Sequence, residues 1–90
     1  MTDQVISLSG ELTIQTAAEV LASVRPRLGM DAAVDLSEVS EMDTAGLQIL
    51  LLMKREAEAR RRCLELLSPS DAVTEVIRIA GLGTDLEVEQ

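Results

Sequence analysis

Residues 35–54 read DLSEVSEMDTAGLQILLLMK, a stretch that begins like a buried strand, ends like a buried helix and places Met42-Asp43-Thr44-Ala45-Gly46 at the junction. Asp and Thr both accept hydrogen bonds from amides two or three residues on, so either serves as a helix N-cap. Gly46 in the first helical turn costs about 1 kcal/mol relative to Ala, and its missing side chain suggests close approach by another molecule. At about 100° per residue, Gly46, Leu47, Ile49, Leu50, Met53 and Ala57 form one wide stripe facing a sheet. Leu51 and Leu52 then fall among Gln48, Arg55 and Ala59. There they lie either under a neighbouring loop or in a docking patch.

Upstream, VISLSGELTI alternates around Gly10, which predicts a hairpin of strands over residues 5–9 and 12–14. Thr16 and Glu19 have capping-box spacing ahead of apolar positions 17, 20, 21, 24 and 28. A first helix is expected from residue 17, kinked or ended near Val24 by Pro26. AAVDLS suits a strand over 32–36 covered on both faces. The helix after Asp43 should run to the Arg60-Arg61-Arg62 cluster, whose charge complements the helix C-terminus.

CLELL reads as the next strand, with Cys63 a small buried residue. SPSDAVTEVIRIAGLG reads as a helix with Ser68 as cap, Pro69 at its first position and Gly81 as its stop. The tail TDLEVEQ suggests one more short strand. Strands alternating with helices call for right-handed βαβ crossovers. The expectation is an α/β layer fold filling residues 1–90 as a single domain, with an N-terminal hairpin and helices packed on a mixed sheet.

Composition narrows the function. With 90 residues, the chain can bury only about 60 to 65% of its unfolded surface, so one core and one site are expected. Sixteen acidic against eight basic residues leave a net charge of −8, which repels phosphate backbones and anionic headgroups. There is no aromatic residue to stack on a base, so nucleic acid is disfavoured as a partner. The longest apolar run, residues 49–53, is far too short to span a bilayer. The first ten residues also lack a basic segment followed by an apolar one. A soluble, cytoplasmic protein without direct membrane insertion is expected.

No His and a single Cys remove the common zinc and acid–base constellations, so no cofactor and no metal are expected. Asp35, Glu41 and Asp43 could in principle hold Mg²⁺, but no phosphate-cradling glycine loop accompanies them. Residues 54–62 carry a local charge of +3, either a solvated helix end or a docking site for an acidic surface.

Loops at the C-terminal ends of parallel strands are where partners meet α/β sheets. A hydroxyl at a helix N-terminus there is well placed for phosphorylation. The phosphate is tolerated by the helix amides, yet it adds nearly two negative charges to a surface that a partner must desolvate. On this reading Thr44 is a switch that acts on binding rather than on folding.

GELTIQTA, VDLSEVSEMDTAGLQILL and SPSDAVTEVIRIAGL resemble, in order and spacing, the STAS domain of anti-sigma factor antagonists. The specific element is a strand, then Asp, Ser or Thr, a small residue, Gly and Leu, then a helix, matched by Asp43, Thr44, Ala45, Gly46 and Leu47. The resemblance implies a non-enzymatic module that binds a serine/threonine kinase acting as an anti-sigma factor. It makes Thr44 the phosphoacceptor and puts Asp43, Ala45, Gly46 and Leu47 in the docking surface, with Thr13 and Gln15 at its edge. Leu51 and Leu52 would extend that surface or support a weak dimer of an otherwise monomeric protein.

The sequence departs from the pattern in having Ala45 where a second hydroxyl is usual, and Thr rather than Ser as acceptor. VDLS and DTAGL equally resemble the small STAS subunit that binds the ATPase of a bacterial lipid-transport ABC system, where the threonine would be an interface residue. Related short STAS proteins accompany chemotaxis-type signalling.

Overall fold

A computed structural model describes residues 3–81 and the backbone of 88–89. The elements are β1 (Gln4–Leu12), α1 (Ala17–Val24), a 3-10 turn (Arg25–Gly29), β2 (Ala32–Met42), α2 (Thr44–Ala59), β3 (Leu64–Leu67), α3 (Asp71–Ala80) and β4 (Val88–Glu89). The strands stand in the order β1-β2-β3-β4, and each neighbouring pair is parallel. The α/β layer architecture is therefore as the strand and helix alternation predicts.

The expected hairpin and the mixed sheet are not. Gly10 has φ +77 but lies within β1 opposite Val39, so it bends one continuous strand instead of reversing it. A glycine in a strand serves a bulge as readily as a turn.

Strand β2 runs six residues beyond the expected 32–36 because its pairing with β1 contains two bulges. From Ser7↔Asp35 to Ser9↔Glu38, and again from Gly10↔Val39 to Glu11↔Glu41, β2 advances one residue more than β1. Each insertion resets which side chain faces inward. Leu36 and Val39 are buried and Met42 half-buried, with exposed residues between them. The inward period there is three, so alternation in the sequence stops at Leu36 while the strand continues.

Helix α2 contacts both α1 and α3, and Ile6, Val34 and Leu66 share one register row and are buried. On the opposite face Val5 and Ser7 are exposed and Asp35 is half-buried, while Ala33 is buried, so β2 is covered on both faces only at its start. Leu47, Leu50, Met53 and Ala57 of α2 are buried as the stripe predicts, with Ile49 half-buried beside them. Burial of the larger ones contributes roughly 1.5–3 kcal/mol each.

Helix α1 ends at Val24, ahead of Pro26 as expected, and passes into the 3-10 turn. Its capping box does not form. The Thr16 hydroxyl accepts from the Thr13 N–H (3.0 Å) and lies 2.9 Å from the Glu11 carbonyl oxygen, to which it donates. It closes the preceding loop instead.

The cap of α3 is Ser70, not Ser68. Ser68 is held at φ +52, where Pro69 falls ahead of the helix. Cys63 is exposed, because β3 begins one residue later. The tail strand is present at Val88–Glu89, parallel to β3; residues 84–87 and 90 lie outside the described ones. No helix among the described residues is long and apolar enough to cross a membrane.

Candidate functional site

The extended β1–β2 pairing ends at Leu12↔Met42, and both chains leave the sheet side by side there. One enters the loop of residues 13–16 and the other enters α2 through Asp43. A corner forms from two segments about thirty residues apart in sequence.

Gly46 makes the approach possible. A Cβ at that position would overlap the Leu12 carbonyl oxygen and lie 3.0 Å from both its carbon and the Leu12 Cγ. The missing side chain thus admits the protein's own β1 backbone, not another molecule. Gly46 and Leu47 are both buried, so neither offers a side chain to a partner, contrary to the sequence expectation.

Asp43 joins the segments. Its Oδ1 accepts from the Gly46 N–H at 3.1 Å, the cap of α2. Its Oδ2 accepts from the Ile14 N–H at 3.0 Å. The Ile14 N–H foremost, with the Gly46 and Ala45 amides, holds the Asp43 carboxyl below the usual carboxylate range, while desolvation works against them. At neutral pH the group is a firmly ionised double acceptor.

Thr44 is the first residue of α2 and exposed. Among the described residues its hydroxyl has no hydrogen-bond partner. Ala45 beside it is half-buried. Across the corner the Thr13 hydroxyl accepts from the Gln15 N–H (3.3 Å), and Gln15 itself is exposed. The structure therefore gathers Asp43, Thr44, Ala45, Thr13 and Gln15 at one surface.

Leu51 and Leu52 are elsewhere. Eight residues beyond Thr44, Leu52 lies about 12 Å further along the helix axis and is 37% exposed, while Leu51 packs against the core. Neither belongs to the corner.

Ile14 is the member that the sequence reading missed. It is 77% exposed, and within LTIQT it reads as the last inward residue of a strand. Only its tether to Asp43 shows that it sits on a fixed loop facing out.

The surroundings are acidic. Glu11 and Glu41 are register neighbours on β1 and β2, and both are exposed, as is Glu38. All eight Lys and Arg residues fall at positions 25, 27, 54, 55, 60–62 and 78, outside this edge. Among the described residues, no three of His, Cys, Asp and Glu are grouped to hold a metal ion. With its carboxylate occupied by amides, the corner presents the exposed Thr44 hydroxyl in a hydrogen-bonded frame, with Gln15 exposed across from it.

The chain is similar to SpoIIAA, an anti-sigma factor antagonist, in its unphosphorylated form, with TM-score 0.72 and 28% identity over 93% of this chain and 77% of that one. It is similar also to the phosphorylated form of the same Bacillus cell-fate determinant, with TM-score 0.67 and 27% identity over 93% and 80% of the two chains. A candidate anti-sigma factor antagonist of Thermotoga maritima shares the fold, with TM-score 0.80 and 21% identity over 100% of this chain and 82% of that one. No curated protein sequence gives a match. Residues 1–88 match the family model described as Mlab, STAS domain, and on that match, with the fold and corner described above, the chain belongs to the STAS domain family.

Proposed function

We propose that this protein is a non-enzymatic regulatory module of the anti-sigma factor antagonist type, read by a partner kinase at Thr44. The observation that carries the reading is the exposed, unpartnered Thr44 hydroxyl at the start of α2, framed by the loop that Asp43 holds. Transfer from a nucleoside triphosphate would form the bond between Thr44 Oγ and phosphorus as the γ-phosphorus leaves its bridging oxygen. The hydroxyl proton passes to a base of the kinase, and nucleoside diphosphate departs. The likeness to SpoIIAA, solved with and without its phosphate, supports the same role for this site.

The unmodified corner binds the kinase, and the phosphorylated one is rejected. The helix amides favour the added charge within the protein, whereas an interface would have to desolvate it beside Asp43. The test is affinity capture from the native lysate with Thr44→Ala and Thr44→Glu baits, together with intact-mass analysis of the endogenous protein. A serine/threonine kinase held by Thr44→Ala and released by Thr44→Glu, with a phosphorylated endogenous form, is the expected result. Equal retention by both baits overturns it.

A second reading rests on VDLS and DTAGL, which equally suit a STAS subunit regulating the ATPase of an ABC lipid-transport system, and on Ala45 standing where a second hydroxyl is usual. There Thr44 is an unmodified contact. An ABC-type ATPase on the Thr44→Ala bait, with the endogenous protein never phosphorylated, selects it.

A further inference from the structure

The Asp43 carboxylate is shared between two elements. One oxygen caps α2 through Gly46 and the other holds Ile14, 29 residues away in sequence. The loop carrying Ile14 is braced by the Thr13 N–H to Thr16 Oγ1 (3.0 Å) and the Gln15 N–H to Thr13 Oγ1 (3.3 Å); it is tied back to β1 by the Thr16 hydroxyl to the Glu11 carbonyl (2.9 Å) and into α1 by the Ala17 N–H to the Thr13 carbonyl (2.7 Å). The Ile14 side chain gains little from burial, being 77% exposed, so its packing does not hold it against the start of α2. The hydrogen bond to Asp43 does.

Thr44 follows Asp43 directly. A phosphoryl group on its hydroxyl would bring nearly two negative charges within reach of the amides that Asp43 uses, those of Gly46 and Ala45. No Lys or Arg lies between residues 1 and 24 or between 31 and 53 to offset it, and the nearby strand ends carry Glu11 and Glu41. The added charge competes for the same donors and repels the carboxylate.

We propose that Asp43 is a positioning residue that latches the loop of residues 13–16 to the start of α2, and that a phosphoryl group on Thr44 releases Ile14 through it. The inference deepens the regulatory reading of Thr44 given above and rests on it for its biological use. Phosphorylation then changes the recognition surface twice, by its own charge and by loosening the apolar residue beside it.

The experiment measures amide hydrogen exchange at Ile14, Gly46 and Leu50 by NMR on the full chain. The forms compared are wild type, Asp43→Asn, Thr44→Gln and protein with phosphothreonine installed at position 44 during synthesis. In Asp43→Asn the side-chain oxygen can still cap Gly46, while its NH₂ group meets the Ile14 N–H donor to donor. Ile14 exchange is expected to rise about tenfold, the equivalent of one hydrogen bond, with Gly46 within about twofold of wild type. Equal acceleration at both sites would make Asp43 a cap only and overturn the latch.

The phosphothreonine form is expected to accelerate Ile14 by a similar factor, with Leu50 and the Thr44→Gln control unchanged. Unaltered Ile14 exchange in that form overturns the proposal, and it decides alone if Asp43→Asn does not fold. Because the phosphate is installed, a protein never phosphorylated in its cell would sink the proposed function without touching this result.

Discussion

Two helices of this molecule start in the same setting, at the C-terminal end of a parallel strand, and they start differently. Helix α3 is capped by Ser70, whose Oγ accepts from the Val73 N–H at 3.3 Å. It opens on a groove of about 750 Å³ lined by Ser37, Ser68, Pro69, Ser70, Asp71 and Thr74. Helix α2 is capped by Asp43, and the space in front of it is occupied by the loop of residues 13–16. A serine has one oxygen and spends it on its own helix. A carboxylate has two, and here the second makes the cap a tertiary contact.

The contrast extends one turn inward. Three residues after each cap the chain faces the core, and α3 places a fully buried Val73 there where α2 has Gly46 against the Leu12 backbone. The largest effect is therefore expected from Gly46→Ala. The neighbour is the main-chain carbonyl of the buried strand residue Leu12, which cannot swing aside as a side chain would, so overpacking should cost about 3 kcal/mol. The reverse change at the matching position, Val73→Ala, should cost about 2 kcal/mol by leaving a cavity. Urea denaturation of both variants checks the pair. A Gly46→Ala protein as stable as wild type would mean that the corner is not closed as described.

How much of this was legible in the sequence follows from how far apart the partners are. The stripe on α2, the Asp43 cap and the break near Pro26 are local patterns, and local chemistry produces them, whereas the cap of α3 falls at Ser70 and not at the expected Ser68. The β1–β2 pairing is not legible, because Gly10 signals a turn as well as a bulge and because two inserted residues convert an inward period of two into three. Gly46 signals a close approach in the sequence but not its partner, since nothing within its own helix points to Leu12. Ile14 needed the loop's tether to Asp43 before its exposure meant anything. The exposed position of Thr44 at the start of α2 is legible because a residue that follows a capping acid is placed by its neighbours in the chain.

The caps themselves differ in a way that pH separates. Ser70→Ala should lose about 1 kcal/mol, and by the same amount at pH 7 and pH 3, because no titrating group makes the bond. Asp43 titrates below its ordinary value of about 3.9, held there chiefly by the Ile14 N–H. A group depressed in the folded state contributes stability above its unfolded pKa and loses it as the pH falls through the folded value. The urea midpoint gap between wild type and Asp43→Asn should thus stay constant from pH 7 to about pH 4 and narrow below. A gap that persists undiminished well into acid would show that the carboxylate's charge is not what holds the corner.

The smallest effect on stability is expected at the residue with the largest proposed role. Thr44 is exposed and its hydroxyl bonds to nothing described, so Thr44→Glu removes no internal contact. A negative charge in the first turn of a helix is favoured by roughly 0.3–1 kcal/mol, offset in part by repulsion from Asp43 and the nearby Glu41. The net change in unfolding free energy should fall within about 1 kcal/mol of zero, measured by urea denaturation at neutral pH. At α3 the corresponding first-turn position already carries an acid, Asp71, so the fold tolerates this charge where nothing further depends on it. A Thr44→Glu protein that unfolds readily would mean that the hydroxyl carries structure after all. A stable one leaves the charge free to act only on whatever meets the corner from outside, which is the condition a binding switch requires.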